Sequence, residues 1–167
     1  MGDKERVPLH KQLEMCMKLK QYKIKVVDDD IHKLHCIFPG AYGTPYERGL
    51  YHLEITLPEG YPDHPPRYKC LNPSGRWVAG GNICMSISAD HPESWNPSMG
   101  LAGIISGMQE YMTQAGRESG HVVTSDAQKR AFAEQSRSFK CAACGEDHSK
   151  LLHLLFKDPT KKDEGEK

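Results

Sequence analysis

A cysteine in a long polar loop is the residue best suited to covalent chemistry. Cys84 follows Gly80-Gly81, which lets another backbone approach closely, and it precedes a polar stretch. The polar residues of that stretch are Ser86, Ser88, Asp90 and His91. A thiol nucleophile needs access and room for the carbonyl that it attacks, and such a loop offers both. The alternative is that Cys84 is a small buried hydrophobe, since reduced cysteine is among the most buried residue types.

A pair of cysteines near the C-terminus allows metal binding as one interpretation. Cys141, Cys144, His148 and His153 have the spacing C-x2-C-x3-H-x4-H. Two thiolates and two imidazoles are suitable ligands for zinc. The spacing matches no common zinc finger, so the prediction is a reduced, exposed cysteine pair in a tail, with a metal site as the alternative.

The same pair also imitates the signature of zinc deaminases, H-x-E followed by P-C-x-x-C. His91-Pro92-Glu93 would supply the first part and Cys141 to Cys144 the second. Lys140 stands where the signature has proline, and the gap between the two parts is long. A deaminase is therefore a remote alternative.

Composition and charge argue against several other classes of protein. Basic and acidic residues each number 22, so no net field attracts nucleic acid or an anionic membrane. The sequence has neither the phosphate-binding motif G-x-x-x-x-G-K-[ST] nor the metalloprotease motif H-E-x-x-H. The first residues, MGDKERV, lack the apolar segment of a signal peptide, so the six cysteines are expected to be reduced thiols of a cytoplasmic protein.

The elements that must position these residues begin with a helix and a hairpin. Helical spacing of apolar residues predicts a helix from Pro8 to about Lys20. The β-rich runs Tyr22–Val27 and Lys33–Phe38 flank three aspartates and predict a hairpin. Further strands are predicted at Leu50–Leu57 and Arg67–Leu71.

Prolines and helices fill the rest of the chain. The four prolines of residues 58–66 predict a stiff, extended connection. Apolar periodicity predicts a helix over Leu101–Met112, with Ser98 as its N-cap, and Ser125–Phe139 reads as a last helix. Strands followed by helices indicate an α+β fold.

Four short motifs, in this order and spacing, resemble the ubiquitin-conjugating enzyme family. They are Gly43-Thr44-Pro45-Tyr46-Glu47-Arg48-Gly49, Tyr61-Pro62-Asp63-His64-Pro65-Pro66, Gly81-Asn82-Ile83-Cys84 and Trp95-Asn96-Pro97-Ser98. The resemblance runs from the opening helix to about Phe139. It implies one ubiquitin-conjugating domain over residues 6–139, with an N-terminal helix, a four-stranded antiparallel meander, a long active-site loop and C-terminal helices. Residues 140–167 are expected to form a C-terminal tail.

By that resemblance, Cys84 accepts ubiquitin or a related modifier from an activating enzyme as a thioester. A substrate amine or hydroxyl then takes the modifier, with the help of a ubiquitin ligase. The activating enzyme uses the ATP, so no cofactor is expected in this chain.

The resemblance also implies a face for the activating enzyme and ligases. Its expected residues are Lys11, Lys18, Pro62, Asp63, Trp95, Pro97 and Ser98. The basic N-terminal segment fits an acidic partner, with an ordinary solvated helix face as the alternative. The family often has a bulky apolar residue where this chain has Asp63, and a charge is costly to bury unpaired, so the ligase contact must differ.

One departure from the family concerns the oxyanion. Most members carry a His-Pro-Asn motif before the cysteine, and its asparagine supports the oxyanion. No such motif precedes Cys84, so the candidate supports are Ser74, His91 and Asn72. His91 could instead act as a base for an incoming hydroxyl, or be a solvated loop residue. The missing motif keeps open a second function, that of an inactive ubiquitin-binding variant of the same fold.

The missing motif, the long stretch from Cys84 to Trp95 and the Cys-Ala-Ala-Cys-Gly sequence resemble the tail-anchored J-type branch, which is associated with the endoplasmic reticulum and the degradation pathway there. That branch carries a C-terminal membrane helix, which these 167 residues lack. The expectation is a cytoplasmic protein, or one at the cytosolic face of the endoplasmic reticulum if an anchor has been removed.

Overall fold

The computed structural model describes residues 7–84, 88, 92–114 and 120–155. Four strands form one antiparallel sheet in the order β1 (Lys23–Val27), β2 (Asp30–Pro39), β3 (Leu50–Thr56) and β4 (Arg67–Cys70). Helix α1 (Leu9–Lys18) precedes the sheet, and α2 (Gly100–Thr113) and α3 (Asp126–Ser136) follow it. This order confirms the predicted α+β fold. Nowhere in these ranges is a helix both long and apolar enough to cross a membrane.

The predicted hairpin is present, and its turn is tight. Strands β1 and β2 pair on either side of Asp28 and Asp29, whose φ angles of 55° and 54° lie in the left-handed region. Two consecutive residues of this kind give a turn whose twist matches that of the strands. Aspartate tolerates this backbone better than most residues, so the aspartate run favours the turn.

The inner face of the sheet packs against α1 and α2. Side chains that point inward alternate along the strands, as with Leu34, Cys36 and Phe38 of β2. Helix α2 adds buried residues at the predicted spacing, namely Leu101, Ile104, Ile105, Met108 and Met112. Removal of this apolar surface from water is the main driving force for the fold.

Strand β2 is also buried on its outer face. All residues from Leu34 to Phe38 are buried, including His35 and Ile37, which alternate with the inward-pointing residues. Leu151 and Leu154, which follow α3, pack on Ile37 there. The described part of residues 140–167 therefore lies against the outer face of the sheet.

Helix α2 begins at Gly100 with Met99 at the N-cap position and no side-chain cap, so the prediction that Ser98 caps it is wrong. The N–H of Ser98 donates to Oδ1 of Asn96 at 2.9 Å, within the preceding turn. The N–H of Leu101 instead donates to Oε1 of Gln12, on α1, at 2.9 Å. A side chain of α1 thus accepts a hydrogen bond from an N–H group in the first turn of α2, which has no partner within its own helix.

A buried guanidinium donates hydrogen bonds to carbonyl groups at the other end of α2. Arg76 is 3% exposed and donates to the carbonyls of Tyr111 and Met112, at 3.1 Å each. A cation at a helix C-terminus is favoured by the helix dipole. Arg76 thereby ties the segment between β4 and Cys84 to α2.

Candidate functional site

The backbone before Cys84 runs beside β4. The N–H of Gly80 donates to the carbonyl of Cys70 at 2.8 Å, and the N–H of Ile83 donates to that of Tyr68 at 3.0 Å. Ile83 is buried, whereas Cys84 is half-exposed. Pairing with the sheet therefore fixes the residue directly before the half-exposed Cys84. His91 and Ser86 lie outside the described residues.

A second segment, Gly120–Val122, flanks the cysteine loop on its other side. The N–H of Val78 donates to the carbonyl of Gly120 at 2.7 Å, and the N–H of Val122 donates to that of Arg76 at 2.9 Å. Gly120 has a φ of +94°, and a Cβ there would collide with the carbonyl oxygen of Asn82. Glycine is required for this close approach.

Sequence reasoning missed this segment and, with it, His121. The half-buried His121 directly follows Gly120, and its backbone forms an isolated antiparallel β-bridge with that of Trp77. A glycine followed by a histidine is a weak local signal. The contact of Gly120 with the backbone of Asn82 and Ile83 arises only in the folded chain, so the local sequence does not reveal it.

Burial sets most of the other cysteines apart from Cys84. Cys16, Cys36, Cys70 and Cys141 are buried, and Cys144 is half-exposed. Burial raises the pKa of the Cys36 thiol, and it raises the pKa of Cys70 to about 12. Because the thiolate is the nucleophile, these two buried thiols are inert near neutral pH.

Three of the expected docking residues, Pro62, Pro97 and Ser98, line one groove, whereas Lys11, Lys18, Asp63 and Trp95 are not part of its lining. The indole N–H of Trp95 donates to the carbonyl of Pro62 at 2.6 Å. The groove has a volume of about 750 Å³, and its walls include Leu9, Gln12 and Met15 of α1, Tyr61 and Pro62, and Pro97 to Met99. Lys11, Lys18, Asp63 and Ser98 are exposed, and Pro97 is half-buried.

The proline-rich wall of this groove is folded, and the expectation of an extended connection is wrong. The N–H of Tyr61 donates to the carbonyl of Pro58 at 3.0 Å, and the N–H of His64 donates to that of Gly60 at 2.9 Å. Because proline blocks only its own N–H, the residues between the prolines still close hydrogen-bonded turns.

The sequence matches the ubiquitin-conjugating enzyme family over residues 8–143. This chain belongs to the ubiquitin-conjugating enzyme family. It is 38% identical over 112 residues to ubiquitin-conjugating enzyme E2 6 of Kluyveromyces lactis, which covers 67% of this chain and 45% of that relative. It is 36% identical over 110 residues to ubiquitin-conjugating enzyme E2 J2 of Homo sapiens, which covers 66% of this chain and 42% of that relative.

A solved structure supports the same fold. It is described as a novel ubiquitin-conjugating enzyme, with a TM-score of 0.60, 18% identity, and coverage of 76% of this chain and 90% of the other. At that identity the likeness bears on the fold alone. The chain spans about half the length of the curated relatives that it matches.

The side chain of Asn72 forms hydrogen bonds with the backbone of the sheet. Its side-chain oxygen accepts from the N–H of His52 at 2.9 Å, and its side-chain nitrogen donates to the carbonyl of Leu50 at 2.9 Å. Asn72 is fully buried, and its amide extends the pairing of β3 beyond the end of β4. In this structure it positions β3.

Ser74 is also fully buried. Its Oγ accepts from the N–H of Arg76 at 3.1 Å and from the N–H of Trp77 at 3.2 Å. These bonds close the turn at the place where most of the family has His-Pro-Asn. The arrangement gives Ser74 a role in the turn that carries Arg76.

The C-terminal cysteine pair meets histidines other than those that its spacing suggested. Cys141 and Cys144 lie with His35 of β2 and His52 of β3, and one potential ligand atom from each of the four lies within 4.8 Å of the others. Cys141 is buried, so the prediction of an exposed pair is wrong for this residue. The deaminase interpretation loses its basis, because the pair belongs to the outer layer of a ubiquitin-conjugating fold.

The two histidines of the predicted metal set lie elsewhere. His153 is exposed, and His148 lies behind His52, with its Nε2 2.9 Å from Nδ1 of His52. Burial, and then the neighbouring rings of His148 and His35, lower the pKa of His52 to about 3. Burial also lowers the pKa of His148. These two rings are therefore neutral near pH 7.

Proposed function

We propose that this chain is an active ubiquitin-conjugating enzyme that carries ubiquitin as a thioester on Cys84. Family membership and the half-exposed Cys84, which follows a segment fixed to β4, support this assignment. The Cys84 thiolate attacks the carbonyl of the thioester on the activating enzyme. A new carbon–sulfur bond forms at Cys84, and the thiolate of the activating enzyme leaves.

The groove is the proposed docking face for the activating enzyme and for ubiquitin ligases. It joins α1 to the turn and the loop that family resemblance had singled out. Met15 and Met17 of α1 are 61% and 48% exposed, beside the exposed Lys11 and Lys18. Exposed apolar side chains ringed by charge are typical of protein-binding surfaces.

The missing His-Pro-Asn leaves the oxyanion to another donor. Asn72 and Ser74 are buried and bonded to backbone, so a backbone N–H of the cysteine loop is the better candidate. The same departure is the observation in favour of the second candidate function, an inactive ubiquitin-binding variant. Such variants lack the cysteine, whereas Cys84 is present and half-exposed, and we therefore favour the enzyme.

We further propose that the chain belongs with the branch of the E2 6 and E2 J2 relatives, and that it works in the cytoplasm or at the cytosolic face of the endoplasmic reticulum. The absent His-Pro-Asn and the long loop after Cys84 support this. Membrane flotation of extracts from cells that express the epitope-tagged chain tests the location.

A charging assay with activating enzyme, ATP and ubiquitin tests the main proposal. Wild type should form an adduct that a reductant removes, Cys84→Ser an adduct that survives reductant, and Cys84→Ala none. His153→Ala, an exposed change far from Cys84 in the sequence, is the control and should still be charged. Normal charging of Cys84→Ala would refute the assignment. An uncharged wild type would favour the inactive variant.

A further inference from the structure

Four potential ligands meet on the outer face of the sheet. His35 and His52 come from adjacent strands, and Cys141 and Cys144 come from the turn that follows α3. Both imidazoles are fully buried, so they do not reach solvent. Buried polar groups require partners.

Two of the sulfur–nitrogen distances fit a tetrahedral ion. Sγ of Cys141 lies 3.7 Å from Nδ1 of His35, and Sγ of Cys144 lies 3.4 Å from Nε2 of His52. Zinc–sulfur bonds of about 2.3 Å and zinc–nitrogen bonds of about 2.0–2.1 Å at tetrahedral angles separate sulfur from nitrogen by about 3.5 Å. The two measured distances lie on either side of this value.

The hydrogen bonds behind the two imidazoles determine which ring nitrogens carry protons. The carboxylate of Glu54 accepts from Nε2 of His35 at 3.0 Å, which leaves Nδ1 as the ring atom that faces the cysteines. The carbonyl of Ser136 accepts from Nδ1 of His148 at 2.7 Å. Nε2 of His148 is then the acceptor for Nδ1 of His52, at 2.9 Å. Nε2 of His52 therefore bears a lone pair.

These two ring nitrogens face each other. Nδ1 of His35 and Nε2 of His52 are 2.9 Å apart, so they share one occupant, either a proton or a bound cation. A carboxylate behind a histidine, as Glu54 lies behind His35, is an arrangement that orients histidines at metal sites.

The backbone of the cysteine turn brings its thiols to one side. The N–H of Gly145 donates to the carbonyl of Cys141 at 2.8 Å, and the N–H of Cys141 donates to that of Glu146 at 2.9 Å. Gly145 has a φ of +77°, a conformation that favours glycine, directly after Cys144. Lys25 of β1 pairs with Glu146 at 3.8 Å, which holds the turn near the sheet.

We propose that His35, His52, Cys141 and Cys144 form a structural zinc site. Two thiolates and two imidazoles are a ligand set of structural zinc sites, in which zinc is tetrahedral. Because the protein supplies all four ligands, the site is closed to substrate and acts as a clamp. It fastens the segment after α3 to β2 and β3, beside the apolar contact of Leu151 and Leu154 with Ile37.

Metal analysis of the purified full chain tests this proposal. We expect one zinc per chain by plasma mass spectrometry, and replacement of zinc by cobalt(II) should give the thiolate charge-transfer and visible bands of a tetrahedral site. Removal of zinc by a chelator should make Cys141 and Cys144 reactive toward a thiol reagent, as followed by peptide mapping. A wild-type chain that holds no zinc and gives no cobalt–thiolate band would overturn the proposal.

Matched variants localise the site. Cys144→Ser should lose the cobalt bands or bind at least 10-fold more weakly, and Glu54→Gln should weaken zinc binding about 10-fold through His35. Cys84→Ser and His153→Ala are controls outside the cluster and should bind as wild type does. Wild-type binding by Cys144→Ser would overturn the assignment of ligands. Since Cys84→Ser cannot form a thioester yet should keep its zinc, failure of one proposal is distinguishable from failure of the other.

Discussion

The indole N–H of Trp95 donates a 2.6 Å hydrogen bond to the carbonyl of Pro62, 33 residues earlier in the chain. The ring centroids of Trp95 and Tyr61 are 6.4 Å apart. This contact joins the loop before α2 to the proline-rich turn. The shape of the groove therefore depends on the side chain of Trp95.

Trp95→Phe should lower the free energy of unfolding by about 1 kcal/mol, because the Pro62 carbonyl loses its donor. It should also slow charging when the activating enzyme is not saturating. Tyr61→Phe is the matched control, since within the described ranges its hydroxyl is buried without a hydrogen-bond partner. That change should leave stability unchanged or raise it. Urea denaturation and initial charging rates measure both, and equal losses in the two variants would contradict the prediction.

Reversing the charge of Lys11 and Lys18 should slow charging without unfolding the domain, because both side chains are exposed on α1. The effect should shrink as salt rises, since exposed charges are screened within about 10 Å at 0.1 M ionic strength. Arg130→Glu, an equally exposed change on α3, is the control and should have little effect. Unchanged charging at low salt would support the solvated-face interpretation.

Gly120→Ala should lower the free energy of unfolding by about 2–3 kcal/mol and slow charging. The added Cβ meets the carbonyl of Asn82 and displaces the backbone that leads into Cys84. Gly43→Ala is the matched control, because Gly43 has a φ of +78° with nothing within 4 Å of an added Cβ. It should cost about 1 kcal/mol from backbone strain alone and leave charging intact. The same charging rate in both variants would show that the contact with Asn82 does not position Cys84.

The charged enzyme should discharge to free serine or threonine at a rate comparable to that for lysine. A hydroxyl stays protonated near neutral pH and gains more than an amine from a nearby base, a role for which His91 remains the candidate. His91→Ala should therefore slow the hydroxyl reaction more than the amine reaction, whereas exposed His64→Ala should slow neither. Loss of the thioester is followed with each amino acid in turn. Discharge to lysine only would count against the prediction.

The local parts of the fold were predictable because their signals are local. The aspartates at the hairpin turn and Ser125 at the start of α3 act on residues within a few positions. Ser125 accepts from the N–H of Gln128, and the Gln128 side chain binds the N–H of Ser125 in return. All the residues of such a capping box lie within four consecutive positions of the sequence.

The zinc ligands were not predictable in the same way. His35 and His52 belong to strands, and nothing in their local sequence marks them as ligands. They meet Cys141 only because the register of β2 and β3 puts both rings on the outer face, and the contact of His35 with Cys141 spans 106 residues. For the same reason, spacing alone pointed to His148 and His153, which are close to the cysteines in sequence. The partner of Leu101, Gln12, is likewise 89 residues away.

The double burial of β2 has a consequence for biosynthesis. A ribosome makes the sheet long before it makes residues 140–155, and domains begin to fold as their residues emerge. Until then, Ile37 and Leu50 face solvent beside two unmetallated histidines. The nascent chain thus passes through a stage in which an apolar face of the sheet is uncovered. At that stage, binding by chaperones competes with misassembly. Arrival of the last described segment covers this face and ends that stage.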